Sequence, residues 1–342
     1  MVTHLINEDK LIPKENWRQL LWRYPPEYLE SLLDERIWKG KVSVTTCLRC
    51  PREYFLRQKF PYAIDPNDFA FAILGTKVHK GLESDNDSIV TELASGIELE
   101  VDMTGIMDVV FAHNEEITLG DNKTWGSFAV AKNMGLREEM RPKVDDHGLP
   151  VYYKRKSKYG NAGDQMLEKH FTPDPTLAQN HDVTMQLNMY RMMLEEKLRD
   201  GTIVIPNAEW KKKVSNLIVY VIVRDGNTSV AKGRGIMTTT YAIPIKILLD
   251  TETIEFFEPR AVYIKEQFDK HAYSSLRQIL KDPPRCGDKK ETYGGWMCAK
   301  TCPVTHLCRL CAIHPYEAER ETPYGRLLDI NTGGLRDEKE SI

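Results

Sequence analysis

The stretch GIMDVVFAHNEEITLGDNKT, residues 105–124, predicts a β-hairpin that carries aspartates among its apolar residues. Two apolar runs flank a polar centre, which marks the turn between two strands. If the turn centres between Asn114 and Glu115, the register places Asp108 opposite Asp121. Facing residues of an antiparallel pair have Cβ atoms about 4.5–5.5 Å apart. We therefore expect the two carboxylates to lie close together.

The aspartate pair predicts a site for a divalent cation. Two close carboxylates repel each other and are costly to desolvate, and a cation relieves both effects. Mg²⁺ is commonly held by one or two carboxylates together with water and phosphate oxygens. Lys123 shares a strand face with Asp121, where an ammonium group can orient water or stabilise charge on phosphate. The alternative is a solvated acidic hairpin edge with an incidental lysine.

Composition limits the class of protein. Of the 342 residues, 41% are hydrophobic and 28% are charged, which is typical of a soluble globular chain. A net charge of −3 gives no overall basic character, so any nucleic-acid surface must be a local patch. We find no apolar run near the ~20 residues of a membrane helix, no secretory signal and no phosphate-binding G-x-x-x-x-G-K-[ST] motif. We expect a cytoplasmic protein with no membrane partner and no ATP motor of its own.

Seven cysteines form two groups at opposite ends of the chain. Clustered cysteines in a reducing compartment more often bind metal than form disulfides. Two C-x2-C pairs, Cys47/Cys50 and Cys308/Cys311, suit a structural Zn²⁺ site. Four thiolates also suit a [4Fe–4S] cluster. Either metal would join the two ends of the chain.

Other motifs surround the hairpin in a fixed order. A helical stretch before it contains Gly75 and His79 as G-x-x-x-H. An amphipathic helix after it, residues 182–201, carries Gln186 and Tyr190 on one face, because residues four apart are helix neighbours. Strands and helices mix along the chain, which predicts an α/β fold.

This ordered set resembles the PD-(D/E)XK nuclease superfamily, in particular its RecB-like branch with an iron–sulfur cluster. That branch includes CRISPR-associated RecB-like exonucleases, the AddB nuclease domain and phage exonucleases. The resemblance also rests on SVTTCLRCPREYFL at residues 43–56 and on a late C-x3-C-x5-C. It implies a restriction-endonuclease-like core, a central mixed sheet flanked by helices. Helical additions and a cysteine-ligated cluster joining the N- and C-terminal parts would complete the fold.

The resemblance implies a role for each matching residue. The cation, Mg²⁺ or Mn²⁺, would be held by His79, Asp108, Asp121 and the Asn122 carbonyl. Lys123 would be the catalytic lysine, and Gln186 and Tyr190 would line the active site beside the DNA. The [4Fe–4S] cluster would be held by Cys50, Cys298, Cys302 and Cys308, with Cys47 at a position that is usually apolar. Two departures are the C-x3-C spacing, where the family usually has C-x2-C, and a long interval between Lys123 and Gln186.

We expect five regions along the chain. These are an accessory helical segment (1–42), a nuclease domain (43–315) with an insertion (126–180), a C-terminal cysteine segment (286–311) and a tail (316–342). The insertion contains YYKRKSKYG, with the basic residues Lys154, Arg155, Lys156 and Lys158. Basic residues interleaved with tyrosines suit a single-stranded DNA path, although such runs are also common in solvated loops.

The resemblance implies a Mg²⁺- or Mn²⁺-dependent deoxyribonuclease of a bacterium, an archaeon or a phage. The expected activity is exonucleolytic on single-stranded DNA ends, in recombination, repair, phage replication or CRISPR adaptation. The alternative is a DNA-end-binding or adaptor subunit whose cleavage is secondary or depends on a partner. A helicase or a recombination or CRISPR-adaptation protein is the expected partner.

Overall fold

The computed structural model describes residues 2–7, 10–33, 38–60, 62–82, 89–274 and 278–279. Cys298, Cys302, Cys308 and Cys311 lie outside these residues, as does the tail at 316–342. The fold is mixed α/β, as the sequence predicts.

Strands and helices alternate with loops in the described part of the chain. The strands are β1 (Val2–Asn7), β2 (Lys10–Pro13), β3 (Val42–Ser43), β4 (Tyr62–Ile64), β5 (Ile89–Ile97), β6 (Met103–His113), β7 (Glu116–Trp125), β8 (Leu136–Pro142), β9 (Leu167–Pro173), β10 (Val214–Val223) and β11 (Thr240–Ile245). The helices are α1 (Pro26–Leu33), α2 (Val44–Cys47), α3 (Pro51–Lys59), α4 (Pro66–Gly81), α5 (Ser127–Met134), α6 (His181–Arg199), α7 (Ser229–Lys232) and α8 (Asp250–Lys270), with 3₁₀ turns at Lys14–Leu20 and Pro175–Leu177. Within this part of the chain, no helix combines the length and apolar character needed to cross a bilayer.

A mixed sheet forms the centre of the fold. Its strand order is β11-β10-β7-β6-β3, and β5 also pairs with β6. β7 and β10 are parallel, whereas β6 pairs antiparallel with both β5 and β7. α6 packs against β5, β6, β7 and β10, and α4 packs against β7. The expected arrangement, a central mixed sheet flanked by helices, is therefore confirmed.

α4 and α6 approach β7 from different faces. Gly75 of α4 lies over Thr124, whose hydroxyl would be 3.3 Å from a Cβ added at the glycine. Gln186 of α6 instead hydrogen-bonds Asp121. Successive residues of a strand point to opposite faces, and residues 121 and 124 have opposite parity. The end of β7 is thus enclosed by one helix on each side.

The hairpin has the predicted register up to the aspartates. The pairs run from His113 and Glu116 at the turn to Val109 and Gly120. Both turn residues have positive φ, 49° at Asn114 and 62° at Glu115, as the tight turns of twisted hairpins require. The ladder ends one pair before Asp108 and Asp121, so these two residues are not regular ladder partners.

The alternation of buried and exposed side chains along β6 changes at Asp108. Met103 and Met107 are buried at odd positions, whereas Val110 is buried at an even position. A regular strand keeps one parity on each face, so the change shows an irregularity between Met107 and Val110. Asp108 therefore lies where β6 leaves the regular ladder with β7.

The N-terminal segment differs from the helical segment expected at residues 1–42. β1 pairs antiparallel with β2 and parallel with β4 in a separate three-stranded sheet. Among the described residues of this segment, regular α-helix is limited to α1, which packs against α4. Leu5, Leu20 and Leu29 are fully buried in the main hydrophobic core. Long-range pairing with β4 and burial of these leucines outweigh local helical preference.

The region expected to be an insertion contains α5, the two-stranded β8–β9 sheet and a loop between these strands. Most side chains of β8 and β9 are half-buried or exposed. One anchor to the body is Phe171 of β9, which packs directly on Gly235. Gly235 has φ of 79° and no room for a Cβ beside the phenyl ring, so only glycine fits there.

Candidate metal centre

Asp108 is the centre of the site. Its side chain is 12% exposed, and its Oδ2 atom accepts a hydrogen bond from the backbone N–H of Asn122 at 2.7 Å. Nδ1 of His79, in the last turn of α4, lies 3.4 Å from the same oxygen. The helix containing the G-x-x-x-H motif therefore places its histidine against the hairpin aspartate.

Glu92 lies beside His79 and Asp108, a position that the sequence alone did not indicate. The β5–β6 register pairs Thr91 with Val109 and Leu93 with Met107, which places Glu92 opposite Asp108. One ligand atom each from His79, Glu92 and Asp108 lies within 4.8 Å of the others. Glu92 also has φ of 50°, a strained conformation for a residue with a Cβ. The pairing of β5 with β6 is the signal that places Glu92 opposite Asp108.

Asp121 and Lys123 form a second, buried part of the site. Asp121 is 2% exposed, and its Oδ2 atom lies 2.6 Å from Nζ of Lys123. The Lys123 ammonium therefore forms an ion pair with the buried Asp121 carboxylate. A buried charge of this kind needs a positive partner, which Lys123 supplies and a divalent cation would strengthen.

α6 supplies Gln186 and Tyr190, as predicted. Nε2 of Gln186 donates to Oδ1 of Asp121 at 3.3 Å and to Oη of Tyr190 at 3.4 Å. The Tyr190 ring covers Gly105 of β6, where an added Cβ would overlap the ring. Burial, with the charge of Asp121 as the next cause, raises the pKa of Tyr190 far above its usual value. Tyr190 is therefore a neutral phenol whose ring packs α6 against β6.

The charge balance of the site favours a cation. Burial, and next the charge of Asp121, raise the pKa of Asp108 to about 6. The Lys123 ammonium, the Asn122 N–H and His79 counteract this only in part. Together with Glu92, the cluster holds three carboxyl groups near one ammonium group. A divalent ion would remove the remaining repulsion.

The structure brings together most residues predicted for the site. His79 contacts Asp108, Lys123 contacts Asp121, and Gln186 hydrogen-bonds both Asp121 and Tyr190. The charge of Asp121 acts on Asp108. Asn122 contributes its N–H to Asp108, whereas its carbonyl was the expected ligand. The basic residues Lys154, Arg155, Lys156 and Lys158 are exposed in the loop between β8 and β9. Lys158 there lies over the Tyr159 ring, 4.7 Å from its centroid.

The two early cysteines have different surroundings. Cys50 is buried at the N-cap of α3. Cys47 belongs to the main hydrophobic core, where burial raises the pKa of its thiol to about 12. Phe268 near the end of α8 stacks on Trp38 at 4.3 Å and contacts Phe55 of α3 at 5.1 Å. The end of α8, which precedes the late cysteines in the chain, therefore lies against the helix that begins after Cys50.

Comparisons with known proteins give little further information. No protein-family model matches the chain, and no curated protein matches it. Seven chains of solved structures match. One of them, the crystal structure of SSO0001, is 16% identical, covers 86% of this chain and 95% of its own, and has a TM-score of 0.38. No family follows from these matches, so the nuclease family stays a prediction.

Proposed function

We propose that the protein is a metal-dependent DNA nuclease of the PD-(D/E)XK superfamily, in its RecB-like branch. The observation that carries the proposal is the meeting of His79, Glu92 and Asp108 beside the Asp121–Lys123 pair. A histidine and carboxylates can hold a divalent cation, and a lysine beside them can assist the metal-dependent hydrolysis of a phosphodiester. The central mixed sheet with helices on both faces of β7 supports the corresponding core.

The residues of the site fit Mg²⁺ or Mn²⁺. The ligands would come from His79, Asp108 and Asp121, with Glu92 added to the set expected from the sequence. Support comes from the buried position of the Asp121 carboxylate and from the excess of carboxyl groups around Asp108. Oxygen-rich donor sets of this kind suit hard divalent cations.

The bound cation would supply Lewis-acid polarisation of the phosphate and activation of water. The protein would do the remaining work by positioning. The Asn122 N–H fixes Asp108, and Gln186 fixes Asp121. The Lys123 ammonium would orient the attacking water and stabilise negative charge on the phosphate. Tyr190 would hold Gln186 and α6 in place over the strand.

We also propose that Cys50, Cys298, Cys302 and Cys308 hold a [4Fe–4S] cluster. Cys50 supports this by its buried position at the start of α3, and the end of α8, which precedes the late cysteines in the chain, supports it by packing against that helix. Cys47 fits a core residue better than a ligand because its side chain packs in the main hydrophobic core. Anaerobically purified protein should contain iron and inorganic sulfide. Stoichiometric zinc without iron would favour the zinc alternative.

A nuclease assay tests the main proposal. End-labelled single- and double-stranded DNA, blocked at the 5′ or the 3′ end, is incubated with Mn²⁺ or Mg²⁺. We expect digestion of single-stranded DNA from a free end, and no digestion by Lys123→Ala. Lys59→Ala is a matched control, since Lys59 is a half-buried lysine on α3 whose ammonium donates to the Ala272 carbonyl, outside the site. Unchanged digestion by Lys123→Ala would contradict the catalytic assignment. End binding without cleavage would instead support the adaptor alternative.

The expected biological setting follows from the same proposal. Processing of single-stranded ends fits recombination, repair, phage replication or CRISPR adaptation in the cytoplasm. A helicase or an adaptation protein would deliver the strand. The exposed basic loop between β8 and β9 would guide the DNA, since lysine and arginine neutralise phosphates and tyrosines stack on bases.

A further inference from the structure

A cavity of about 390 Å³ lies directly beside the metal centre. Its walls are Val78 and Leu82 at the end of α4, Tyr220 and Ile222 of β10, and Tyr241 and Ala242 of β11. Asn122 and Lys123 also line it. Its volume lies at the lower end of the range for small-ligand sites, about 300–1,000 Å³.

Asn122 and Lys123 line the cavity and also contact aspartates of the metal centre, and one turn of α4 contributes to both. Val78 and Leu82 are four residues apart and line the cavity, while His79 between them faces Asp108. The N–H of Asn122 binds Asp108, and Lys123 binds Asp121. A ligand in the cavity would therefore lie next to the groups that handle the phosphate.

The lining predicts the chemistry of that ligand. Most of the surface is apolar, and the polar residues among its lining are Asn122, Lys123, Thr240 and the two tyrosines. Such a lining suits a flat aromatic ring that has a hydrogen-bonding edge and carries an anionic group. A nucleobase attached to its phosphate has these properties, and every base offers a π-face for stacking.

An aromatic and cationic surface continues from the cavity along β10. Tyr220, Ile222 and Arg224 alternate along the chain and so point to one face. The guanidinium of Arg224 lies over the Phe71 ring of α4, 3.7 Å from its centroid, and Phe71 is 64% exposed. Exposed rings and arginine planes are the surfaces on which unpaired bases stack.

We propose that the cavity holds one unpaired base of a nucleic-acid strand whose adjacent phosphate lies at the metal centre. The Phe71–Arg224 pair stacks a neighbouring base of the same strand. The inference rests on the proposed nuclease function and adds a base-binding subsite to it. A base can enter the cavity only when it is unpaired, so the strand must be single-stranded at this point.

A binding experiment with abasic oligonucleotides tests the subsite. Labelled oligothymidylates, each with one abasic position, are titrated with the protein in Ca²⁺, so that affinity is measured without Mn²⁺ or Mg²⁺. We expect two neighbouring positions each to lose about tenfold in affinity, one for the cavity and one for the Phe71–Arg224 pair, since a stacked base contributes on the order of 1–3 kcal/mol. A flat profile across all positions would overturn the proposal.

Ala242→Trp fills the cavity from an exposed position on β11. We expect this variant to bind the intact oligonucleotide about tenfold more weakly and to lose the position-specific effect of the abasic site. Val204→Trp adds the same bulk at an exposed position outside the lining and should behave as wild type. Leu82→Gln, at a half-exposed wall residue, gives a second measurement if the tryptophan variant does not fold.

The outcomes separate this inference from the nuclease proposal. If wild type digests DNA and Ala242→Trp and Leu82→Gln bind and digest it equally well, the base subsite is wrong and the nuclease proposal stands. If wild type shows the abasic profile but no cleavage with Mn²⁺ or Mg²⁺, the subsite stands and the nuclease proposal fails.

Discussion

The carboxylate of Asp108 accepts a hydrogen bond from the backbone N–H of Asn122 at 2.7 Å. In a regular hairpin, Asp121 would lie opposite Asp108, and the Asn122 N–H would point to the ladder or to solvent. Here the last ladder pair between β6 and β7 is Val109 with Gly120, and Asp108 lies beside Asn122, between Asp121 and Lys123. One backbone group therefore fixes the distance between the two halves of the site.

Asp108→Asn should stabilise the metal-free protein and abolish its response to metal. The pKa of Asp108 is raised to about 6 by burial and by Asp121, so its charge is unfavourable at neutral pH without a cation. Asparagine keeps an oxygen that can accept the Asn122 N–H and removes the charge. We expect a gain of about 1–3 kcal/mol in the free energy of unfolding in EDTA. Urea denaturation measures it.

The matched control for that variant is Asp102→Asn. Asp102 is an exposed residue that pairs with Lys41 at 3.9 Å on the surface, so its loss should change stability by less than about 0.5 kcal/mol. Mn²⁺ should raise the melting temperature of wild type and of this control, but not that of Asp108→Asn. Destabilisation of Asp108→Asn in EDTA would contradict the charge balance described for the site.

Glu92→Gln should weaken cation binding without unfolding the protein. Glu92 is exposed, so the substitution leaves the core intact, but it removes one of three ligand groups that lie within 4.8 Å of one another. We expect about tenfold weaker Mn²⁺ binding by calorimetry. Glu98→Gln, an exposed glutamate that follows the same strand, is the control. Equal Mn²⁺ affinity of Glu92→Gln and wild type would remove Glu92 from the ligand set.

Gly105→Ala should disrupt the site through Tyr190. An added Cβ would overlap the tyrosine ring and displace α6, with Gln186, from Asp121. Overpacking of this kind costs about 1–3 kcal/mol of stability, and we expect nuclease activity to fall with it. Gly81→Ala at the end of α4 has open space around it and should be neutral in stability. Wild-type activity of Gly105→Ala would show that Tyr190 and α6 do not position the site.

Cys47 should make the protein less stable at alkaline pH. Burial raises the pKa of its thiol from 9.0 to about 12, so the native state keeps a proton that the unfolded chain loses in this range. Its contribution to the free energy of unfolding is complete below pH 9 and falls as pH rises toward 12. Between pH 8 and 10.5, wild type should lose about 1–2 kcal/mol more than Cys47→Ala.

Alkylation gives an independent measurement of the same property. At pH 8, iodoacetamide should leave Cys47 unmodified in the native protein and modify it after denaturation, because only the thiolate reacts and the thiol is buried. Rapid modification of Cys47 in the native state would contradict the raised pKa.

Much of the site could be predicted because its signals are local. The turn at Asn114 and Glu115 sets the register of the hairpin, and the helical period places Gln186 and Tyr190 on one face of α6. The change of alternation at Asp108 could not be predicted, because it depends on how β6 packs between β5 and β7. Glu92 was missed for a related reason: its position opposite Asp108 depends on the pairing of a third strand.

The strands at the N-terminus were missed because their pairing is non-local. β1 and β2 are short, and the β1 residues pair with β4 more than fifty positions later in the chain. Nothing in the local sequence distinguishes them from the short helical fragments expected there. The late cysteines lie outside the described residues, so their ligand roles stay predictions.

The parallel pairing of β1 with β4 has a practical consequence for protein engineering. β4 joins α3, which begins after Cys50, to α4, which carries His79. A shortened protein that starts at residue 43 would keep every predicted ligand, yet it would leave Tyr62, Ala63 and Ile64 with a bare strand edge. Such edges recruit other chains. Truncation to the apparent catalytic minimum should therefore give aggregation during expression rather than a smaller enzyme.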